Sequence, residues 1–273
     1  MNRPEIWEKY KPHRQYVKTL MEEYKTKFNW SADGRDSLMD IGCAGGGITI
    51  DYILPIMPTN FDRLIGVDIS EDMIAYAQKM HSKPNIEFKT FNIETGNTGE
   101  LPQVDHITVL YVFHLVHDHD KALSNVYNLL KPGGDCLILF IPQFRYYTAY
   151  EQLSRHPKWS KYMKSVKDAI VPCYFSETPE SDFEQLLKKH RFSSVEIATD
   201  VSSYHMGDVN IFKKFITTVY HFYEGIPLEE HDAFTDDFAR VAVNVFNSIA
   251  NNKQSNENGV YLPVTNLIAV ARK

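Results

Sequence analysis

The 273-residue sequence is poor in cysteine, which bounds both its redox chemistry and its metal chemistry. The three cysteines, Cys43, Cys136 and Cys173, share neither a Cys-x-x-Cys pattern nor a Cys/His spacing typical of a zinc site. An odd number of widely separated cysteines also does not predict a disulfide framework. We therefore expect a reducing compartment and a cytoplasmic protein without a structural metal.

Long apolar runs and clusters of basic side chains are also missing. No apolar stretch reaches the roughly 18 residues that span a bilayer, and the polar residues 1–16 predict neither a signal peptide nor a presequence. The net charge is −6, with acidic and basic side chains interspersed. Because nucleic-acid backbones are bound by clustered Lys and Arg, we expect neither a nucleic acid nor a membrane as a partner.

Hydrophobic residues, in contrast, make up 43% of the chain, enough for a large buried core, and we interpret residues 1–273 as a single domain. Helices are predicted at 121–130 and 182–190, between runs that favour strands. These strands are expected at 38–41, 63–68, 86–91, 106–111, 135–141, 195–198 and 266–271. The alternation indicates an α/β fold with a mostly parallel, doubly wound sheet.

Three segments, residues 1–28, 143–180 and 208–252, interrupt this alternation with helix-compatible, aromatic-rich sequence. Ligands of open α/β sheets bind beyond the carboxyl ends of the strands. We therefore predict that the three segments form a helical lid at that edge. Its aromatic side chains either pack in the core or line an acceptor pocket, and we expect the second role for three of them: Tyr10, Phe144 and Tyr146.

The segment Asp40-Ile-Gly-Cys-Ala-Gly-Gly-Gly47 is the most informative, because glycines after a strand, here including Gly42 and Gly46, let a ligand approach the backbone. The spacing is close to that of dinucleotide-binding turns, which leaves a nicotinamide oxidoreductase open. Asp40 favours a methyltransferase. A carboxylate at the strand end can meet the ammonium of an amino-acid-like ligand, whereas a dinucleotide does not need it. The alternative for Asp40 is capping of nearby amides.

Asp68 ends the second predicted strand and resembles the acidic residue that holds a ribose diol in either type of cofactor site. Ser70 follows as the predicted N-cap of the next helix. Ile69 and Met73 are apolar residues at the start of this helix that could sandwich an adenine. Packing inside the domain explains both equally well.

Four motifs, in this order, resemble the class I methyltransferase series: L-M-D-I-G-C-A-G-G-G, G-V-D-I-S-E-D-M-I-A-Y-A, V-D-H-I-T-V-L-Y-V-F-H-L-V and N-L-L-K-P-G-G-D-C-L-I-L-F. More closely, the chain resembles the insect juvenile hormone acid methyltransferases over nearly its full length, including W-S-K-Y-M and the final V-A-R-K. This resemblance implies a Rossmann-like sheet of seven strands whose last strand is antiparallel.

The resemblance also implies S-adenosylmethionine as the cofactor and S-adenosylhomocysteine as its product. It places the methionine moiety near Asp40, Gly42 and Ala44, and the ribose on Asp68. The glycine turn would then serve a methyl donor rather than a nicotinamide.

The adenine is expected between Ile69 and Ile93. The family's usual adenine-binding Asp corresponds to Asn92, whose side-chain oxygen can accept the same hydrogen bond from the adenine amine. Tyr111 ends the fourth predicted strand and Val112 follows it, and both would border the reactive sulfonium.

Two departures from the family affect the acceptor site. The hormone enzymes carry a Gln in the N-terminal helix and a Trp in a Leu-His-Trp run, both of which engage the substrate carboxylate. An ungapped alignment puts Arg14 and Leu115 there, with Gln15 one residue away. We expect these three residues at the acceptor, and we favour a small phenol-type hydroxyl over juvenile hormone acid or farnesoic acid.

His114 is the candidate catalytic residue, because an imidazole beyond the fourth strand can orient or deprotonate a hydroxyl. A phenol, which titrates near about pH 10, benefits from such a base, whereas a carboxylic acid is already ionised. The alternative is a structural histidine beside the cofactor. His117 and His119 share a short loop and do not predict a metal site.

The sequence thus predicts an S-adenosylmethionine-dependent O-methyltransferase for a small lipophilic acceptor. A nicotinamide oxidoreductase is disfavoured by Asp40 and by the lack of a separate catalytic domain. A carrier that only binds the cofactor would keep the same glycines and stays open. The oligomeric state is also open, with a homodimer as one option.

Overall fold

The computed structural model describes residues 4–9, 13–164, 166–219, 225–249 and 255–273, which contain a seven-stranded sheet. The strands are β1 (Ser37–Ile41), β2 (Arg63–Asp68), β3 (Ile86–Thr90), β4 (Val104–Leu110), β5 (Leu130–Phe140), β6 (Ser193–His205) and β7 (Tyr261–Arg272). Their order is β3-β2-β1-β4-β5-β7-β6. The first five run parallel to one another and β7 is antiparallel to both β5 and β6, as the resemblance implies.

The helices of the described ranges are α1 (Pro4–Lys9), α2 (Arg14–Tyr24), α3 (Glu71–His81), α4 (His119–Leu129), α5 (Tyr146–Ser154), α6 (Val166–Ala169), α7 (Pro179–Lys189), α8 (Val209–Val219) and α9 (His231–Ile249). In α3 the predicted N-cap is confirmed, since Ser70 Oγ accepts a hydrogen bond from Met73 N at 3.4 Å. Within these ranges no helix has the length and apolarity to cross a bilayer.

Helices cover both faces of the sheet, which explains why β1 is buried along its whole length. Successive strand residues point to opposite faces. Met39 and Ile41 therefore join the core beneath α4 and α7, while Leu38 joins the core beneath α2 and α3. The uninterrupted apolar strands of the sequence follow from this double coverage.

A third apolar core lies in the predicted lid. It combines α5, α6, α8 and α9 with side chains from the ends of β5 and β7, among them Ile141, Leu262 and Val264. Trp7 of α1 also packs against it, and its indole stacks on Phe215 of α8 with centroids 6.0 Å apart. The three lid segments therefore meet in one place, although the single-domain organisation itself stays a prediction.

Two predicted strand boundaries need correction. β5 begins at Leu130, before the predicted start at residue 135, and therefore includes residues 131–134. The segment after the glycine turn forms a short π-helix, Thr49–Ile53, and a 3-10 turn, Leu54–Ile56, in which Pro55 lacks the N–H that would continue a helix. β6 is much longer than the predicted residues 195–198, since it pairs with β7 as far as His205. Its exposed positions are largely polar, so the sequence there lacks the apolar pattern that predicts a strand.

Candidate active site

A large cavity lies between the carboxyl ends of the parallel strands and the lid. Asp40, Asp68 and Leu110 bring the ends of β1, β2 and β4 to its floor. Phe144 and Phe215 come from the lid. The cavity therefore has a half built by the strand ends, which we call the cofactor half, and a half built largely by the lid, which we call the acceptor half.

The glycine turn approaches the cofactor half with left-handed backbone angles. Gly42 has φ +78°, and a Cβ atom there would lie 2.1 Å from Val112 Cγ2, so only glycine fits. Ala44 adopts φ +48° and donates its N–H to Asp68 Oδ2 at 2.9 Å. Gly46, also expected at the cofactor, does not line the cavity; its φ of +81° shapes the turn beside Phe88 instead.

Both predicted carboxylates of the cofactor half are buried and held by hydrogen bonds. Asp40 accepts from the hydroxyl of Thr49 at 2.5 Å and from that of Thr108 at 2.8 Å. Asp68 accepts from the N–H groups of Ala44 and Ser70, each at 2.9 Å. Burial raises the pKa of Asp68, while these backbone hydrogen bonds act in the opposite direction. The turn and the carboxylates thus form one rigid polar floor.

An apolar slot adjoins this floor. Ile69 and Ile93 line it, and Ile69 is unusually exposed for an isoleucine, at 65%. Asn92 lines it too, but its Oδ1 already accepts from Glu94 N at 2.8 Å and from Thr95 N at 3.3 Å. The amide NH2 is therefore the group of Asn92 that remains for a ligand, contrary to the expected use of the oxygen. Met73, the other expected adenine contact, is fully buried in the core and does not line the cavity.

The acceptor half is mainly apolar and aromatic. Its walls come from β4, β5, β6, β7 and all three lid segments, and they include Trp7, His13, Ile141, Phe144, Tyr146, Tyr204, Met206, Phe215 and Leu262. Over the whole lining that the structure describes, Lys and Arg are absent. A ligand with a long hydrocarbon body fits such walls, and its polar groups would meet neutral donors or a histidine.

His114 lies in this half, as predicted, with its ring 4.8 Å from that of Phe144. Burial first, and then the nearby His119, lower its pKa to about 3. Its carbonyl accepts from Tyr147 Oη at 3.0 Å, whereas its Nδ1 has no hydrogen-bond partner among the described residues. A neutral imidazole with so low a pKa is a weak base, so it is poorly suited to take a proton from a phenol.

The structure does not bring two of the predicted acceptor residues to the cavity. Arg14 forms an ion pair with Asp51 and a 3.4 Å hydrogen bond to Tyr52 Oη, because the helix turns its side chain away from the lid. Gln15 is exposed to solvent. Leu115 does line the cavity, with 46% of its surface exposed, and Tyr10 lies outside the described residues.

Two cavity residues from the first lid segment are missing from the sequence-based set. His13 caps α2 and is buried, with its ring 4.8 Å from that of Tyr111. Trp7 lies next to it, at 6.0 Å between ring centroids. The apolar stripe of α2 gives a signal that could have found His13, because Val17 and Leu20 follow at spacings of four and seven residues, on the same face of a helix.

Tyr111 joins the two halves of the cavity and has an unusual backbone angle, φ +61°. Its hydroxyl hydrogen-bonds to that of Tyr204, and both lie within hydrogen-bonding distance of Asn266 Oδ1, at 3.3 and 3.0 Å. Burial first, and then Tyr204, raise the pKa of Tyr111 well above its ordinary value. Tyr111 therefore stays a neutral phenol.

Comparison with known proteins agrees with this geometry. Residues 39–136 match the family description "Methyltransferase domain". The chain is 32% identical to the juvenile hormone acid O-methyltransferase of Drosophila melanogaster, over 95% of its own length and 88% of the relative's. It is 33% identical to the Bombyx mori enzyme of the same name, over 81% and 78%.

Solved structures show the same fold. The YcgJ protein of Bacillus subtilis superimposes with a TM-score of 0.58 at 14% identity, covering 93% of this chain and 97% of that one. At that identity the likeness concerns the fold alone. The identity to both insect enzymes over most of the chain adds the family and its cofactor. The chain therefore belongs to the juvenile hormone acid O-methyltransferase family and is a methyltransferase that uses S-adenosylmethionine.

Proposed function

We propose that this enzyme methylates the carboxylate of a lipophilic acid, of the juvenile hormone acid or farnesoic acid type, and so produces a methyl ester. The observation that carries the proposal is the acceptor half: apolar walls together with a neutral His114 whose pKa is lowered to about 3. A carboxylate is already ionised above about pH 5 and needs no base. The two insect relatives are named for the same reaction.

The proposal reverses the preference for a phenol that the sequence suggests. That preference depends on Arg14 and Leu115 in place of a Gln and a Trp. Arg14 lies outside the cavity lining and therefore says nothing about the acceptor. Leu115, in place of the family's Trp, offers no polar contact to a carboxylate but forms an apolar wall that suits a hydrocarbon chain.

We assign the cofactor half to S-adenosylmethionine, which supplies an electrophilic methyl group on a sulfonium. Asp68 would accept from the ribose hydroxyls, and Asp40 would face the ammonium of the methionine moiety. The backbone at Gly42 and Ala44 gives close access to that moiety. The buried, hydrogen-bonded state of both carboxylates supports these roles, since fixed acceptors need little reorganisation on binding.

The remaining slot suits the adenine. Ile69 and Ile93 offer apolar faces, and the amide NH2 of Asn92 would donate to a ring nitrogen. Tyr111, between the two halves, would border the methyl group. The chain's part in the reaction is then alignment of the acceptor and exclusion of water, which is what an in-line displacement requires.

A phenol acceptor is the second candidate, and His13 is the observation in its favour. Its imidazole lies in the acceptor half, where it could take the proton of a hydroxyl. In that case the rate would rise with the ionisation of the phenol, whereas the rate of carboxylate methylation would be nearly independent of pH above about pH 6.

The deciding experiment offers the enzyme farnesoic acid, juvenile hormone acid and a para-substituted phenol, with a labelled methyl donor. We expect labelled methyl ester and no aryl ether. Ether formation without ester would overturn the proposal in favour of the phenol. The cytoplasmic location and the homodimer option suggested by the sequence stay predictions, as does the assignment of each site residue.

A further inference from the structure

Four rings form a continuous series along one wall of the acceptor half, which we call the ring wall. The centroids of Trp7 and His13 are 6.0 Å apart, those of His13 and Tyr111 are 4.8 Å apart, and those of Tyr111 and His114 are 6.2 Å apart. All four residues line the cavity. The ring wall therefore links the first lid segment to the end of β4.

Each end of the ring wall carries a buried nitrogen that has no hydrogen-bond partner within the described residues: Trp7 Nε1 and His114 Nδ1. The indoles outside the cavity are paired, since Trp30 Nε1 donates to Lys25 O at 3.1 Å and Trp159 Nε1 donates to Asp237 at 2.9 Å. Buried polar groups are normally satisfied, so an exception that lines a ligand cavity needs an explanation.

We infer that the ring wall binds the polar head of the acceptor, with the N–H of Trp7 donating to an acceptor oxygen. This inference rests on the proposed function, because a carboxylate brings two oxygens that need donors. An indole nitrogen can only donate, so Trp7 requires an acceptor atom, and it favours an anionic oxygen over a neutral one. His114 supplies the second donor in the tautomer that carries hydrogen on Nδ1.

The surroundings of Trp7 fit this role. Its ring stacks on Phe215 at 6.0 Å, with 26° between the planes, so a neighbour holds the indole in place. Since the described lining contains neither Lys nor Arg, the head group depends on neutral donors. Hydrogen bonds to a charged partner are stronger than those between neutral groups, and burial strengthens them further.

The test is Trp7→Phe, which deletes the N–H and keeps an aromatic ring against Phe215. We expect the KM for farnesoic acid to rise about 10-fold while kcat changes less than about twofold, the effect of one hydrogen bond to a charged group. The affinity for S-adenosylhomocysteine and the Tm should stay unchanged. Trp30→Phe is the matched control for ligand binding, because its indole lies outside the cavity. It should leave the KM, the kcat and the affinity for S-adenosylhomocysteine unchanged.

Calorimetric titration of the S-adenosylhomocysteine complex with farnesoic acid separates this inference from the proposed function. Weaker acid binding in Trp7→Phe, at unchanged Tm, supports the ring wall even if no ester is ever formed. Equal affinity in wild type and variant, or no acid binding by the wild type, overturns it.

Trp7→His provides a further check, because it restores an N–H and should recover part of the lost affinity. If Trp7→Phe instead lowers the Tm and the S-adenosylhomocysteine affinity together with acid binding, the indole has a structural role and the inference is wrong.

Discussion

The two halves of the cavity satisfy their polar groups in opposite ways. In the cofactor half, the carboxylates of Asp40 and Asp68 are bound by neighbouring hydroxyl and N–H groups before any ligand arrives. In the acceptor half, Trp7 Nε1 and His114 Nδ1 have no partner among the described residues. The first half is preorganised by local sequence, whereas the second is completed by what it binds.

The substitution with the largest expected effect on this contrast is Asp68→Asn. The substitution removes the negative charge that two N–H groups now hold beside the proposed ribose site. We expect about 100-fold weaker S-adenosylhomocysteine binding, since the hydrogen bonds that the two ribose hydroxyls would donate to a charged carboxylate are weakened. Isothermal titration calorimetry measures it. Asp72→Asn, on the exposed face of α3, is the control, and an equal loss in both variants would contradict the assignment.

Gly42→Ala tests how tightly the preorganised half is packed. The new methyl group would lie 2.1 Å from Val112 Cγ2. We expect the free energy of unfolding to fall by about 2 kcal/mol more than in Gly133→Ala, because the added methyl group overpacks the site at Gly42. Gly133 is the matched control, because it has a similar φ of +83° but nothing within 4 Å of the added atom. Urea denaturation gives both values, and Val112→Ala should partly rescue Gly42→Ala.

The burial of His114 in the acceptor half can be tested by the pH dependence of protein stability. Its pKa is lowered from 6.5 to about 3 in the folded protein, so the unfolded chain binds the proton first as the pH falls. The contribution of the neutral ring to the free energy of unfolding is complete above about pH 6.5 and is lost towards pH 3. At pH 5.5 the free energy of unfolding is lower by about 1.4 kcal/mol. Denaturation at pH 7.5 and 5.5 should therefore show less acid sensitivity in His114→Gln. Equal sensitivity of variant and wild type would refute the burial of a neutral ring.

The smallest expected effect is a gain. Asn92→Asp would keep one oxygen on the N–H groups of Glu94 and Thr95 and free a second oxygen for the adenine amine. We expect S-adenosylhomocysteine to bind about 3- to 10-fold more tightly, the value of one added hydrogen bond. Calorimetry against wild type measures it. Unchanged affinity for adenosine-containing ligands would place the adenine elsewhere.

The cofactor half could be predicted from the sequence, whereas most of the acceptor half could not. The cofactor half depends on turns only a few residues long, so Asp40 and Asp68 could be located from the motifs that contain them and Ile93 from the family resemblance, and all three line the cavity. The sheet and its antiparallel β7 also agree with the resemblance. Gly46 and Met73 share those motifs but do not line the cavity, because Gly46 shapes the turn beside Phe88 and Met73 is buried in the core. Residue spacing alone does not distinguish such positions from the lining ones.

The acceptor half could not be located in this way, because its residues come from segments that are far apart in the chain. Trp7 and Phe215 meet only after three lid segments have packed together. At α2 the assignment failed by one residue: Arg14 was expected in the cavity, yet His13 occupies it. A shift of one position turns a helix by about 100°, enough to exchange a buried ligand contact for a surface ion pair.

The stack of Trp7 on Phe215 has a consequence for the history of such enzymes. Contacts to the acceptor depend on lid segments that share no strand-end turn with the cofactor carboxylates. Mutations can therefore accumulate in the lid and redirect the enzyme to a new acceptor while the methyl donor is still bound. Gene duplicates of such a protein would diverge first in α1, α2 and α8.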